Sequence, residues 1–116
     1  MQFSTPAMLI LFSLAATAQP NPANQPPPPP PQLHKITEGT YSIENTNAVM
    51  AELIYWGGNA TAYVTEAGVI LVDSKFPRAH DDLVAKIKSV TDQPIKYVIL
   101  THNHGDHSGG AEKLAA

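Results

Sequence analysis

The chain contains no cysteine. It can form no disulfide and offers no thiol for a lipid anchor. A domain built from it must be held by an apolar core, by a bound metal, or by both. It also lacks a basic excess. Seven Lys and Arg stand against ten Asp and Glu, for a formal net charge of -3, and the basic residues are not clustered. That excludes the electrostatic footprint of a nucleic-acid or anionic-lipid binder. The first 33 residues carry no charged side chain. There is no internal repeat and no glycine loop of the kind that cradles phosphate. With 116 residues, the chain has room for one small domain at most.

What is present at the N-terminus is an export pattern. Ala7 to Ala16 is an apolar core, and Ala16-Thr17-Ala18 is a small-residue cleavage site. The apolar run falls short of the ~20 residues a membrane span needs. Met1–Ala18 is therefore assigned as a signal peptide, with Gln19 opening the mature chain and a periplasmic or secreted destination. No membrane span is expected after cleavage. Residues 19–32 form a linker containing Pro20, Pro22 and the run Pro26–Pro31. Consecutive prolines favour an extended helix without internal hydrogen bonds, which suits a spacer. A ligand for a proline-binding module is the alternative.

The domain occupies residues 33–116. Thr40–Glu44 alternates and suits a strand. Ala48–Trp56 is apolar except for Glu52 and is expected as a second strand. Gly57-Gly58-Asn59 is a turn. Thr61–Thr65 and Val69–Asp73 are strands joined through Glu66-Ala67-Gly68 as a hairpin. A helix is expected from about Pro77 to Val90, with Leu83, Ile87 and Val90 on one face. Ile95–Leu100 is another strand. A last helix begins near Ala111, with Ser108 or Gly109 as N-cap. Residues 69–100 are thus a strand–helix–strand unit with parallel strands. Ligands bind beyond the carboxyl ends of such strands, and this places Asp73 at the same sheet edge as residues 102–107.

The segment Thr101-His102-Asn103-His104-Gly105-Asp106-His107-Ser108-Gly109-Gly110 holds three of the five histidines. Imidazole and carboxylate are zinc ligands. His102 and His104, two apart in extended backbone, project to the same face. Asp106 and His107 are adjacent, and Gly105 permits a bend before them. The simplest arrangement is two neighbouring ions, with His102 and His104 on one and Asp106 and His107 on the other. Two close metals lower the pKa of a shared water and stabilise the charge that develops on an attacked group.

This His102-x-His104-x-Asp106-His107 pattern, after an apolar strand and before Gly109-Gly110, resembles the signature of the metallo-β-lactamase-fold superfamily. Gly58–Val64 and Gly68–Asp73 are similar to that family's N-terminal strands. The resemblance covers residues 36–116. It implies an α/β fold, the N-terminal half of an αβ/βα sandwich with a mixed sheet, and two Zn2+ in a complete site. It implies His102 and His104 as ligands of the first metal and Asp106 and His107 of the second. It further implies a catalytic role for Asp106 in orienting the attacking hydroxide, and for Asp73 a supporting role without binding metal. Whole domains of this type run to ~200 residues or more. The chain stops nine residues after His107. A domain truncated at its C-terminus is expected, with apolar sheet surface left open.

The family implies a metal-dependent hydrolase acting on a small ester or amide. Export favours a β-lactam. An exported lactonase or other esterase is the alternative within the family. An inactive metal-binding fragment and a proline-tethered interaction module are the alternatives outside it. Of the remaining candidates, His34 is expected to be exposed. His80 is expected to pack at the helix start. Trp56 and Tyr63 are expected to pack on strands. Lys75 and Arg78 are expected either in a solvated loop or near an anionic substrate. Asn59-Ala60-Thr61 matches a glycosylation sequon.

Overall fold

The computed structural model of the chain describes residues 26–115. The expected signal peptide and the linker residues before Pro26 lie outside the described residues. The folded part is a five-stranded mixed sheet in the order β1-β2-β3-β4-β5. β1 is Gln32–Thr37, β2 Thr40–Glu44, β3 Ala60–Thr65, β4 Gly68–Val72 and β5 Ile95–Ile99. The first four strands run antiparallel in sequence, and β5 joins β4 in parallel. The parallel pair requires a crossover. It is made by a 3-10 turn, Pro77–Ala79, leading into helix α2, His80–Lys88. Proline opens that turn because its missing N–H is no loss there. Asp81 and Asp82 at the start of α2, and Lys86 and Lys88 at its end, complement the helix dipole. The long helix expected over 77–90 is thus shorter, and 3-10 at its first turn.

The core lies between the sheet and α2. Ile43, Ala60, Ala62, Val69 and Leu71 from the strands pack with Leu83 and Ile87 from the helix. The opposite sheet face is open. Register puts Thr61, Val72 and Ile99 in one row across it, and Tyr63, Ile70 and Tyr97 in the next. Tyr63, Tyr97 and Ile99 are about half exposed. The apolar sheet surface anticipated from the sequence is therefore present. Among the described residues, no helix is long and apolar enough to cross a membrane.

Two expectations need correction. Ala48–Trp56 is not a strand; it holds helix α1, Met50–Trp56. The reason is polar. Glu52 is buried and turns back to accept from the Asn47 N–H at 2.8 Å and the Asn47 Nδ2–H at 2.7 Å. These bonds close the helix start, while Gly57, at φ 92, ends it by donating its N–H to Leu53 O. The buried face is Glu52 and Trp56, four residues apart, and Met50 and Ile54 point outward. Trp56 accordingly packs at a helix end, not on a strand.

The end of the proline run also belongs to the fold. Trp56 donates its indole N–H to Pro29 O at 2.8 Å, Thr46 donates to Pro30 O at 2.8 Å, and Pro31 is buried. Gln32, assigned to the spacer by composition, begins β1.

Candidate metal centre

β4 and β5 are parallel, so their carboxyl ends share one sheet edge. Asp73 follows β4, and the Asp73 N–H donates to Ile99 O at 2.8 Å. Thr101 and His102 follow β5 at the same edge. Next comes a single helical turn, α3, Gly105–Ser108, which the sequence left as a bend. α4, Ala111–Ala115, follows it. The first acceptor of α4 is Gly110 O, bonded by the Leu114 N–H. The expected cap Ser108 instead turns its hydroxyl back to Asn103 O and His104 O.

The helical turn folds Asp106 back over the extended histidines. His102, His104 and Asp106 each offer a ligand atom, all within 4.8 Å of one another. Ligand atoms on one tetrahedral zinc stand ~3.3 Å apart, so the set is near the spacing of a coordination sphere, though wider. His107 closes the cluster. Its ring centroid lies 4.2 Å from that of His102, and its Nε2 is 3.3 Å from Asp106 Oδ2. The four candidate ligands therefore form one continuous group, with His107 against both His102 and Asp106. Two histidines and a carboxylate, with a third histidine adjacent, make a donor set that suits zinc.

Asp73 organises the group. It is buried and accepts from the Thr101 N–H at 2.8 Å, from the Thr101 hydroxyl, and from His107 Nδ1 at 2.8 Å. Burial pushes its carboxyl pKa up, but these bonds from Thr101 and His107 outweigh burial and hold it below the ordinary value. Because a carboxylate only accepts, His107 carries its proton on Nδ1 and leaves Nε2 free to ligate. The same logic extends to His102. The Thr101 hydroxyl spends its proton on Asp73, so the 2.9 Å contact with His102 Nδ1 is a bond donated by His102. Its Nε2 is likewise left for metal. One carboxylate thus sets the tautomer of two histidines, one directly and one through Thr101.

Backbone contacts fix the turn from below. Ser74 donates both its N–H, at 2.7 Å, and its hydroxyl, at 2.9 Å, to His107 O. Gly58 N–H donates to Asp106 O, and Gly110 N–H to Lys75 O, each at 2.9 Å. Thr101, Ser74 and Gly58 were not singled out for the site from sequence. Thr101 adjoins the motif and was legible in principle. Ser74 and Gly58 carry no local signal.

Lys75 is the clearest departure. Neither solvated nor turned toward a substrate, it is fully buried, with its Nζ donating to Asn45 Oδ1 at 3.1 Å and to Gly58 O. Burial pushes its ammonium down to about 8, against an opposing pull from Glu44. Arg78 lies over the rings of Tyr55 and Phe76. His80 is half-buried and pairs with Asp81 at 2.9 Å, while His34 is exposed as anticipated. Asn59 is exposed just before β3.

Comparison with known proteins gives this geometry a context. The sequence model described as "Metallo-beta-lactamase superfamily" matches residues 54–116. The beta-lactamase-like protein 2 homolog of Caenorhabditis elegans is 38% identical over 61 residues, which is 50% of this chain and 20% of that protein. Among solved structures, the metallo-beta-lactamase SMB-1 bound to 2-mercaptoethanesulfonate is 25% identical, with a TM-score of 0.59 over 73% of this chain and 30% of its own. FIM-1 from Pseudomonas aeruginosa, in a mono-zinc form, is 23% identical with a TM-score of 0.61 over 78% of this chain and 40% of its own, a likeness of fold. A B3 metallo-beta-lactamase with an active-site glutamic acid is 26% identical, with a TM-score of 0.56 over 76% of this chain and 29% of its own. The chain spans between 20% and 40% of the length of each of these proteins.

Proposed function

The chain belongs to the metallo-beta-lactamase superfamily, and on that premise we propose that the protein is an exported zinc-dependent hydrolase of β-lactams. One observation carries the reading. His102, His104 and Asp106 converge at the sheet edge beside His107, and Asp73 already holds His107 with Nε2 free. His102 and His104 would hold one zinc, and Asp106 and His107, 3.3 Å apart at Oδ2 and Nε2, would hold a second beside it. When bound, zinc lowers the pKa of a water and polarises the attacked carbonyl.

The chain's own residues supply the geometry. Asp73 holds the His107 proton at Nδ1 and, through Thr101, that of His102. Ser74 holds the carbonyl of His107 while Asp73 holds its ring, so backbone and side chain are anchored by adjacent residues. Asp106 presents a carboxylate oxygen that can accept a hydrogen bond from the attacking water. The β-lactam class is supported by the solved relatives, which are metallo-beta-lactamases by name, and by the export pattern of Met1–Ala18.

The test is hydrolysis of a chromogenic β-lactam with added zinc, repeated after chelation and with His102→Ala and Asp106→Ala. Zinc-dependent turnover lost in both variants is the expected result. Turnover of a lactone but not of the β-lactam would move the substrate class and leave the site standing. Zinc uptake without turnover of either would make the chain a metal-binding protein. Unchanged zinc content in both variants would remove the site itself. Export is checked separately, by an N-terminus at Gln19 in the mature protein.

A further inference from the structure

Lys75 is a buried cation that the proposed reaction does not use. Lysine is among the residues least often fully buried, because taking an ammonium out of water is costly. Here it is held by two acceptors, Gly58 O and Asn45 Oδ1. Asn45 also donates to Gly57 O at 3.0 Å, so the ammonium and this amide together grip the Gly57-Gly58 turn.

That turn is one wall of the metal centre. Gly58 donates its N–H to Asp106 O, and its Cα faces the His107 ring so closely that a Cβ there would lie 2.5 Å from His107 Cε1. The backbone of Lys75 reaches the other side of the motif. Its carbonyl accepts from Gly110 N–H, and its neighbour Ser74 holds His107 O. Lys75 stands at φ 58 and Asp73 at φ 62, both in the left-handed region that side-chain-bearing residues seldom adopt. Residues 73–75 therefore follow a constrained path that delivers a carboxylate to His107 and an ammonium beneath Gly58.

We propose that Lys75 is a positioning residue of the metal centre, its ammonium holding the Gly57-Gly58 turn against Asp106 and His107 so that these two side chains keep their ligating geometry. The inference rests on the metal-centre reading above. It predicts that loss of the ammonium disturbs the metal site more than it disturbs the fold.

The experiment uses Co2+, whose visible absorption reports ligand geometry. Lys75→Met keeps the buried stem and removes the donors. The expected result is a far-UV dichroism spectrum like wild type, a shifted cobalt spectrum and at least a tenfold loss of cobalt affinity. The chain has no cysteine. Lys75→Cys can therefore be aminoethylated selectively while unfolded and then refolded. The restored ammonium should recover the wild-type cobalt spectrum, a rescue that volume filling alone does not give. If Lys75→Met does not fold, Asn45→Ala carries the test, with a cobalt shift in the same direction. A folded Lys75→Met, or Asn45→Ala in its place, with the wild-type spectrum and affinity overturns the inference and leaves the metal centre intact. Folded wild type that takes up no cobalt removes the metal centre, and the inference with it.

Discussion

Gly58→Ala is the sharpest perturbation available, because it aims one methyl group at one ligand. The added Cβ would sit 2.5 Å from His107 Cε1 and 2.6 Å from Nε2. Carbon atoms in contact stand about 3.5–4.0 Å apart, so the ring has to retreat by about 1 Å. It cannot do so freely. Its Nδ1 is bonded to Asp73 Oδ2 at 2.8 Å, and a retreat of about 1 Å takes that bond past the usual limit of about 3.2 Å. Nor does Gly58 have the positive φ that would penalise alanine in itself. The stability cost is then the Asp73–His107 bond, about 1.5–3 kcal/mol, less the ~0.4–1 kcal/mol that alanine recovers from the unfolded state. A net loss of about 1–2 kcal/mol leaves the protein folded. Losing the carboxylate that orients a metal-binding histidine costs about 10–100-fold in metal affinity. Zinc titration against a competing chelator, with a thermal melt of the metal-free protein, measures both effects. Gly57→Ala is the control. Its Cβ would meet backbone, at 2.6 Å from Asp106 O and 2.8 Å from Phe76 N, and Gly57 needs φ 92, so there the fold itself should fail. Wild-type zinc affinity in Gly58→Ala would refute the placement of His107.

Asp73→Asn keeps an acceptor for Thr101 and tolerates the left-handed backbone, but gives up the charge that holds His107. It should lower zinc affinity about 10–100-fold and, because the His107 bond is lost, also lower the melting temperature by the equivalent of about 1.5–3 kcal/mol, read from the same two assays. Glu52→Ala removes both bonds that close the start of α1 and should cost about 1–3 kcal/mol, seen as a lower Tm; a change below about 0.5 kcal/mol would contradict the role given to Glu52. The pH dependence of stability should carry the mark of Lys75. Its folded pKa, about 8, lies below the value of 10.5 for a free lysine, so the unfolded chain binds more protons between these values. Stability therefore rises as pH climbs from about 8 to about 10.5, and that gain is lost as pH falls back through 8. At about 1.4 kcal/mol per unit the ceiling is about 3 kcal/mol, and solvent screening brings it to about 1–2 kcal/mol. Urea unfolding of metal-free protein at pH 7.5 and 10 measures the rise; Lys75→Met should abolish it.

Where the sequence was legible, the signal was local and periodic. β3 and β4 alternate or run apolar between turn residues, and their hairpin needs only Glu66 and Ala67 to reverse. The parallel crossover follows from strand, helix and strand in succession, and it alone brings Asp73 to the edge that His102 reaches. α1 was misread because its pattern is inverted. A strand or an ordinary amphipathic helix buries its apolar residues, whereas α1 buries Glu52 and exposes Met50 and Ile54. No periodicity rule assigns a helix whose inner face is a carboxylate. What decides it is the pair of bonds from Asn47 to Glu52, and those exist only once the chain has turned.

The candidate site divides along the same line. Its ligand types sit within six residues, and their chemistry is written in the spacing. The single turn of α3 was not legible in that spacing; it stacks Asp106 and His107 over the histidines before them, with His107 Nε2 3.3 Å from Asp106 Oδ2. Which residues keep the site in shape is not a property of spacing at all. Gly58 lies 49 positions before His107 and Lys75 lies 32 before it, and each reaches the site through a backbone carbonyl or a bare Cα. An ammonium in a loop after a strand has the look of a surface charge, because nothing in its neighbours says that a glycine carbonyl waits beneath it. The left-handed turns at Asp73 and Lys75 explain why one segment can serve both ends. They rotate successive side chains off the strand's alternation, so that a carboxylate and an ammonium two residues apart face different walls of one centre. A strand that simply continued would have sent both to the same side.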